Sequence, residues 1–318
     1  MLKRWGIFRG VNLGGWLSQC DYSEQRLASF ITGEDFARIA SWQVDHIRLP
    51  VDYNVLQNED GSWRTDGFER IDWALCMCRQ YGLKMVLDLH KAAGFYWDVP
   101  AGRMRTELFS DAGYQERFWR LWEELARRYG GCSDCVAFEL LNEVTEPRFI
   151  NPWNDLWQEA VRRIRAIAPD TLILVGSYDY NSAAAVPALA LPTDDRVAYN
   201  FHCYDPQPFT HQGAYWVDAL DKSVRISFEE SGVTQEYFEA IFAPAVQAAK
   251  ERGAALYCGE YGVIDVASPE DAVKWIRTIN AVFGRHGIPH CIWNYKEMDF
   301  SLIDSRRDHV RAELVSLL

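Results

Sequence analysis

The sequence has no stretch of about 18 apolar residues, the length a membrane-spanning helix needs. It also lacks the amino-terminal apolar segment of roughly 7–15 residues that marks a secretory leader. It opens instead on MLKRWGIFRG, where basic and aromatic residues alternate. The chain is expected to be cytoplasmic, or secreted with its leader absent, and no membrane partner is expected. Positive charge is also in short supply. Lys and Arg number 33 against 45 Asp and Glu, a formal net charge of −12. A nucleic-acid backbone is bound through concentrated Lys and Arg, so this balance excludes it as the main partner.

Metal and redox signatures are missing too. Cys132 and Cys135 form a CxxC with no second pair and no nearby histidine ligands, and no HExxH occurs. No metal and no cofactor are expected. The eight cysteines are not needed as staples in a chain of 318 residues. Cys203, Cys258 and Cys291 lie within apolar runs and read as free, buried thiols suited to a reducing compartment. No Gly/Ser/Pro-rich linker, internal repeat or low-complexity tract interrupts the chain, so residues 1–318 are expected to form a single domain. A monomer is expected.

What is abundant is aromatic: 13 Trp, 15 Tyr and 16 Phe, which leaves room for a stacking surface beyond the core. Short β-rich runs alternate with helical patterns. The predicted strands are Gly6–Asn12, His46–Leu49, Lys84–His90, Val136–Leu141, Leu172–Gly176, Val197–His202, Leu256–Gly259 and Cys291–Tyr295. Several are apolar almost throughout, as strands covered on both faces are. Helical periodicity predicts helices over Phe68–Tyr81, Gln115–Tyr129, Trp153–Ala168, Gln235–Arg252 and Pro269–Arg285. Gly82, Gly253 and Gly287 follow three of them, where a left-handed stop favours glycine. The fold class is α/β, and eight strands with intervening helices predict a closed (β/α)8 TIM barrel. An open doubly wound sheet is the alternative if one strand is misread. Two long connections, 91–113 with GFYWDVPAG and 205–234 with PQPFTHQGAYW, follow strands at the end where barrel enzymes build their sites.

Polar residues gather at those strand ends. Glu143 closes CVAFELLNE and Glu260 closes ALYCGEYG. A carboxylate at the end of an apolar run is rarely buried without a partner or a task. Asn142 stands beside Glu143, Arg48, His90 and His202 with Tyr204 stand at the ends of other strands, and Trp293 lies inside the last one. A metal reading of the two histidines has no motif behind it.

The order of these blocks resembles glycoside hydrolase family 5, the retaining β-glycanases on a TIM barrel. The resemblance runs from RGVNLGGW at Arg9–Trp16 through HIRLP, VLDLH, FELLNE, YNFHCY, FTHQ and YCGEYG to WNYKEMDF at Trp293–Phe300. The NLGGW, FTHQ and WNYK blocks are similar to bacterial endoglucanases of the clostridial cellulase C type. The resemblance implies Glu143 as acid/base and Glu260 as nucleophile, with Arg48, His90, Asn142, His202 and Tyr204 as the supporting shell. Retention needs the two carboxyl groups about 5–5.5 Å apart, and like charges at that distance push their pKa values apart.

A substrate contact is expected from Trp293, as a stacking platform beneath the sugar; Trp97, Phe95, Tyr96, Phe209, Tyr215 and Trp216 in the long loops, and Trp16 likewise, either extend that platform or pack within their loops. Trp16 and Asn12, both after the first strand, complete the candidates. Asn12 either donates to the sugar or fixes loop geometry. The resemblance implies a retaining endo-β-1,4-glucanase acting on soluble or mixed-linkage β-glucans. The same pair also serves β-mannan, glucomannan, xyloglucan or β-1,3-glucan, or exo action on oligosaccharides. A non-catalytic carbohydrate-binding protein on the same barrel is the third possibility, because fold alone does not fix function.

Overall fold

A computed structural model describes residues 2–98 and 103–318; four residues of the 91–113 connection, 99–102, lie outside the described residues. Its centre is a closed parallel barrel of eight strands. These are β1 (Arg9–Asn12), β2 (His46–Asp52), β3 (Lys84–Lys91), β4 (Val136–Glu139), β5 (Ile173–Gly176), β6 (Val197–Cys203), β7 (Ala255–Tyr261) and β8 (His290–Ile292). Each pairs in parallel with its sequence neighbours, and β8 closes on β1 through Arg9↔His290 and Val11↔Ile292. Closure rules out the open-sheet alternative and agrees with the (β/α)8 expectation.

Side chains alternate across the barrel wall, as period two requires. Ile47, Leu49, Phe138 and Phe201 face outward into the large core shared with the helices. Val86, Ala137, Ala198, Tyr257 and Cys291 face inward and fill the lower barrel, where Leu2 and Ile7 join them from below. Above that plug the inward positions turn polar: Asn12, Arg48, Asp88, Glu139 and Asn200 are all fully buried.

Helices α1 (Gly33–Ser41), α2 (Thr65–Tyr81), α3 (Ala112–Tyr129), α4 (Ile150–Ile167), α5 (Gln235–Arg252) and α6 (Pro269–His286) wrap the strands, and α7 (Arg311–Leu317) follows the last. Gly82, Gly253 and Gly287 take the left-handed conformation expected of them, with φ of 69°, 64° and 64°. Several elements were not expected from the sequence. Helix α1 starts at a capping box between Thr32 and Asp35, the shorter acid replacing the usual Glu or Gln. Helix α7 is only seven residues long. Within the 91–113 connection, Tyr96–Asp98 pairs antiparallel with Arg103–Arg105. Between β5 and β6 no long helix forms; a 3-10 stretch, Ala183–Ala188, crosses instead. Among the described residues, no helix is long and apolar enough to cross a membrane. Cys203, Cys258 and Cys291 are buried free thiols.

Candidate active site

The mouth at the carboxyl ends of the strands is organised around one guanidinium. Arg48, on the inward face of β2, has no exposed surface, and all five of its N–H groups have partners. Two go to Glu139, from Nε and Nη2, each at 2.7 Å. One goes from Nη2 to Asn142 Oδ1 at 2.9 Å. Nη1 donates to Asn12 Oδ1 at 3.0 Å and to Glu260 Oε1 at 2.7 Å. Asp88 lies 3.0 Å from Nη2 as a further anion. A forked, always-charged side chain suits this multidentate duty in a way that lysine would not.

Glu260 is also reached by Tyr204, whose hydroxyl donates to Oε2 at 2.9 Å. Glu143 has a different neighbour, His202, whose Nδ1 is 2.8 Å from Oε1. The same nitrogen is 3.8 Å from Glu260 Oε2. Glu143, Glu260 and His202 thus place one oxygen or nitrogen each within 4.8 Å of one another. Such a trio has the donor types of a cation site, but Arg48 already sets a positive charge against Glu260, and a divalent ion there would lie beside a buried guanidinium. The backbone of Glu143 is in the left-handed region, at φ 34°. A non-glycine residue held there carries strain of about 1–3 kcal/mol, which the surrounding structure must hold in place.

Burial pushes the Glu143 carboxyl well above the usual carboxylate range, and the charge of Glu260 adds to the effect. Burial raises Glu260 as well, opposed by the Arg48 charge and by the Tyr204 hydrogen bond. Asp88 and Glu139 are both lifted to about 7 because burial outweighs their attraction to Arg48. Burial pulls His90 down to about 4 and His202 well below its ordinary value, so both are neutral imidazoles at neutral pH. Nδ1 of His90 meets Asp88 Oδ2 at 2.8 Å. Its ring lies parallel to Trp293, 5.9 Å between centroids and 10° between planes. Trp293 is 7% exposed and backed by the β1 loop, whose Gly14 leaves no room for a Cβ against the indole.

The structure therefore brings Arg48, His90, Asn142, Glu143, His202, Tyr204, Glu260 and Trp293 to one mouth. Several expected substrate contacts are corrected. Asn12 is fully buried, and its amide nitrogen donates to the carbonyls of Gly259, Cys291 and Ile292, so it holds strands together. Trp16 is 2% exposed, donates to the Leu27 carbonyl and packs edge-on to Trp73. Phe209 and Phe95 are core residues, packed on Phe228 and Phe109. For the three aromatics the loop folds back onto the barrel and buries a side chain whose place sequence position alone left open. Trp97 and Trp216 do remain half-buried in the long connections. Trp97 meets Tyr180 edge-on at 5.3 Å, and Trp216 packs against His211 and the exposed Tyr215.

Four residues of the site escaped the sequence reading: Glu139, Asp88, Asn200 and Tyr180. The first three had a signal. Asp88 and Asn200 each stand two residues before a mouth histidine, and Glu139 follows the inward Ala137, so period two puts them on the inner face. Tyr180 had none, since it sits in a run of left-handed residues, Asp179–Asn181, at φ 53°, 56° and 58°.

A closed parallel barrel whose mouth pairs two buried carboxyl groups, flanked by a guanidinium, neutral imidazoles and an indole, has the equipment of a glycoside hydrolase. The chain belongs to the cellulase family, glycosyl hydrolase family 5, whose profile matches residues 8–299. It is 54% identical over 288 residues to Cellodextrinase A of Ruminococcus flavefaciens, covering 91% of this chain and 85% of that one. It is 36% identical to Endoglucanase C of Acetivibrio thermocellus, covering 97% of each. Among solved structures, Thermotoga maritima Cel5A, determined with mannotriose, superposes with a TM-score of 0.82 at 24% identity, covering 100% of this chain and 99% of that one. At that identity the likeness speaks for the fold.

Proposed function

We propose that this glycoside hydrolase is a retaining endo-β-1,4-glucanase, cutting internal bonds of soluble or mixed-linkage β-glucans by double displacement. The observation that carries the proposal is the approach of Glu143 and Glu260 to within 4.8 Å, with Arg48 and Tyr204 bonded to Glu260 alone of the two. Retaining enzymes hold their carboxyl groups about 5–5.5 Å apart, whereas inverting enzymes leave roughly 6.5–9.5 Å for a water.

In the first step an oxygen of Glu260 attacks the anomeric carbon. The glycosidic C–O bond breaks, and Glu143 gives its proton to the departing oxygen. In the second step Glu143 takes a proton from water, whose oxygen attacks the same carbon and releases Glu260. The raised Glu143 carboxyl suits the proton donor. The Arg48 charge favours the anion that attack requires. Asn142, whose Oδ1 is held by Arg48, turns its amide nitrogen toward the mouth and His90, placed to donate to the sugar 2-hydroxyl. Trp293 is the platform under the sugar at the cleavage point, and Trp97 and Trp216 extend it along a cleft shaped by the connections 91–113 and 205–234. No step calls for a metal or cofactor. The enzyme acts as a single-domain monomer, cytoplasmic or secreted, and its eight cysteines, all free thiols, favour a reducing compartment.

A second reading, action on short soluble oligosaccharides, is favoured by the 54% identity to a protein named Cellodextrinase A. A product time course on barley β-glucan, carboxymethylcellulose, glucomannan and cello-oligosaccharides separates the two. A rapid fall in viscosity with few reducing ends supports endo action on polymers. Release of cellobiose or glucose from oligosaccharides, with polymer viscosity unchanged, supports the second reading.

A further inference from the structure

Strand β7 carries one residue more than either of its neighbours. On the β6 side, consecutive Phe201 and His202 pair with Cys258 and Glu260. On the β8 side, His290 and Ile292 pair with Cys258 and Tyr261. The surplus falls at the same place on both sides, a β-bulge at Gly259 and Glu260.

The bulge changes which way the strand faces. Tyr257 points into the lower barrel. Cys258 points out to the helices. Gly259 points in, since a Cβ there would lie 2.7 Å from Asn200 Oδ1 and 3.0 Å from His202 Nε2. Glu260 also points in, to Arg48 and Tyr204. Tyr261 then points out, against Trp275 and Phe283 of α6. Strict alternation from Tyr257 would send Glu260 to the helix side and Tyr261 into the mouth. Two successive inward residues fit only if the first has no side chain.

Both backbone polar groups of Gly259 are gripped by buried amides. Its N–H donates to Asn200 Oδ1 at 2.8 Å. Its carbonyl accepts from Asn12 Nδ2 at 3.0 Å. Each asparagine also reaches the guanidinium cluster. Asn200 Nδ2 donates to Glu139 Oε1 at 2.8 Å, and Asn12 Oδ1 accepts from Arg48 at 3.0 Å. One set of contacts thus fixes both the backbone that carries Glu260 and the cation that its carboxylate meets.

We infer that the Gly259 bulge, clamped by Asn200 and Asn12, is the positioning element that turns Glu260 into the active-site mouth. The three residues act through Glu260, so the inference rests on the nucleophile assignment above. A misplacement of about 1 Å in a reacting group costs on the order of 10²-fold in rate.

The test is covalent trapping with 2,4-dinitrophenyl 2-deoxy-2-fluoro-β-cellobioside, followed by intact mass and peptide mapping. The leaving group lets the first displacement proceed, and the fluorine slows the second, so the ester accumulates. Wild-type protein is expected to be labelled on Glu260. Gly259→Ala, Asn200→Ala and Asn12→Ala should be labelled on the same residue with rate constants about 100-fold lower. Unfolding of part of a variant lowers the final extent of labelling, not the rate constant of the folded fraction, so the rate constant decides. Wild-type rate constants in the folded fraction of any two variants would overturn the inference. A wild-type label on some other residue, or none, would overturn the nucleophile assignment instead.

Discussion

Glu143 and Glu260 reach the same mouth from across the barrel by different backbone devices, and they meet different neighbours there. Glu143 stands past the end of β4 on a left-handed backbone, with a neutral imidazole as its partner. Glu260 lies within β7, turned inward by a bulge, and is bonded to a guanidinium and a phenol. Two glutamates of identical intrinsic acidity are therefore placed in unlike electrostatic settings. Under the proposed roles, the difference teaches where the division of labour resides. It is not in the carboxyl groups but in Arg48, whose five donors include one for Glu260 and none for Glu143.

Breaking the Glu260 side of the comparison should have the largest effect. Glu260→Gln removes the attacking charge with little change of shape, so turnover should fall by about 10⁴-fold or more while ligand binding stays near wild type. Steady-state rates with calorimetric titration of a cello-oligosaccharide check this, and near-wild-type hydrolysis in a clean preparation would contradict it. Breaking the Glu143 side should be milder and selective. Glu143→Ala should lose about 10²–10⁴-fold on substrates with poor leaving groups and recover part of that loss on dinitrophenyl glycosides, which depart unprotonated. Equal losses on both substrates would argue against the proton-donor role.

The smallest effect should sharpen the comparison. Glu139→Gln deletes a buried anion that competes for Arg48 and that also helps to raise Glu143. With it gone, Arg48 acts more fully on Glu260, whose carboxyl should ionise at lower pH. Glu143 should likewise lose its proton at lower pH. Activity falls on the acid side as Glu260 gains a proton and on the basic side as Glu143 loses one, so both limbs of the kcat/KM profile should move to lower pH. An unmoved profile would show that Glu139 does not act through Arg48.

What was legible in the sequence divides along the same structural lines. Residues carried by strands were readable, because Arg48, His90 and His202 keep the period-two alternation of their strands, His90 even though the register with β2 shifts beside it. The carboxyl pair, Glu143 and Glu260, was singled out through its motifs. The facing of Glu260 was not readable, since a bulge breaks the alternation and its sign is a single glycine within YCGEYG. Glu139 was passed over as strand filler inside an apolar run, although it takes two of the five Arg48 donors. Loop aromatics fared worst. Trp16, Phe209 and Phe95 read equally as stacking surfaces or as loop packing, and the choice depends on how each loop returns to the barrel. No local pattern encodes that. Asn12 was placed correctly at the end of β1, yet its amide is taken up by neighbouring strand carbonyls rather than left for a sugar.

The central claim is that two carboxyl groups this close act on one anomeric carbon in succession. Proton NMR of a cello-oligosaccharide digest, recorded before mutarotation, reads the configuration of the newly formed reducing end. The β-anomer should appear first and relax to the equilibrium mixture. Initial appearance of the α-anomer would mean inversion, and would contradict the double displacement assigned to Glu260 and Glu143.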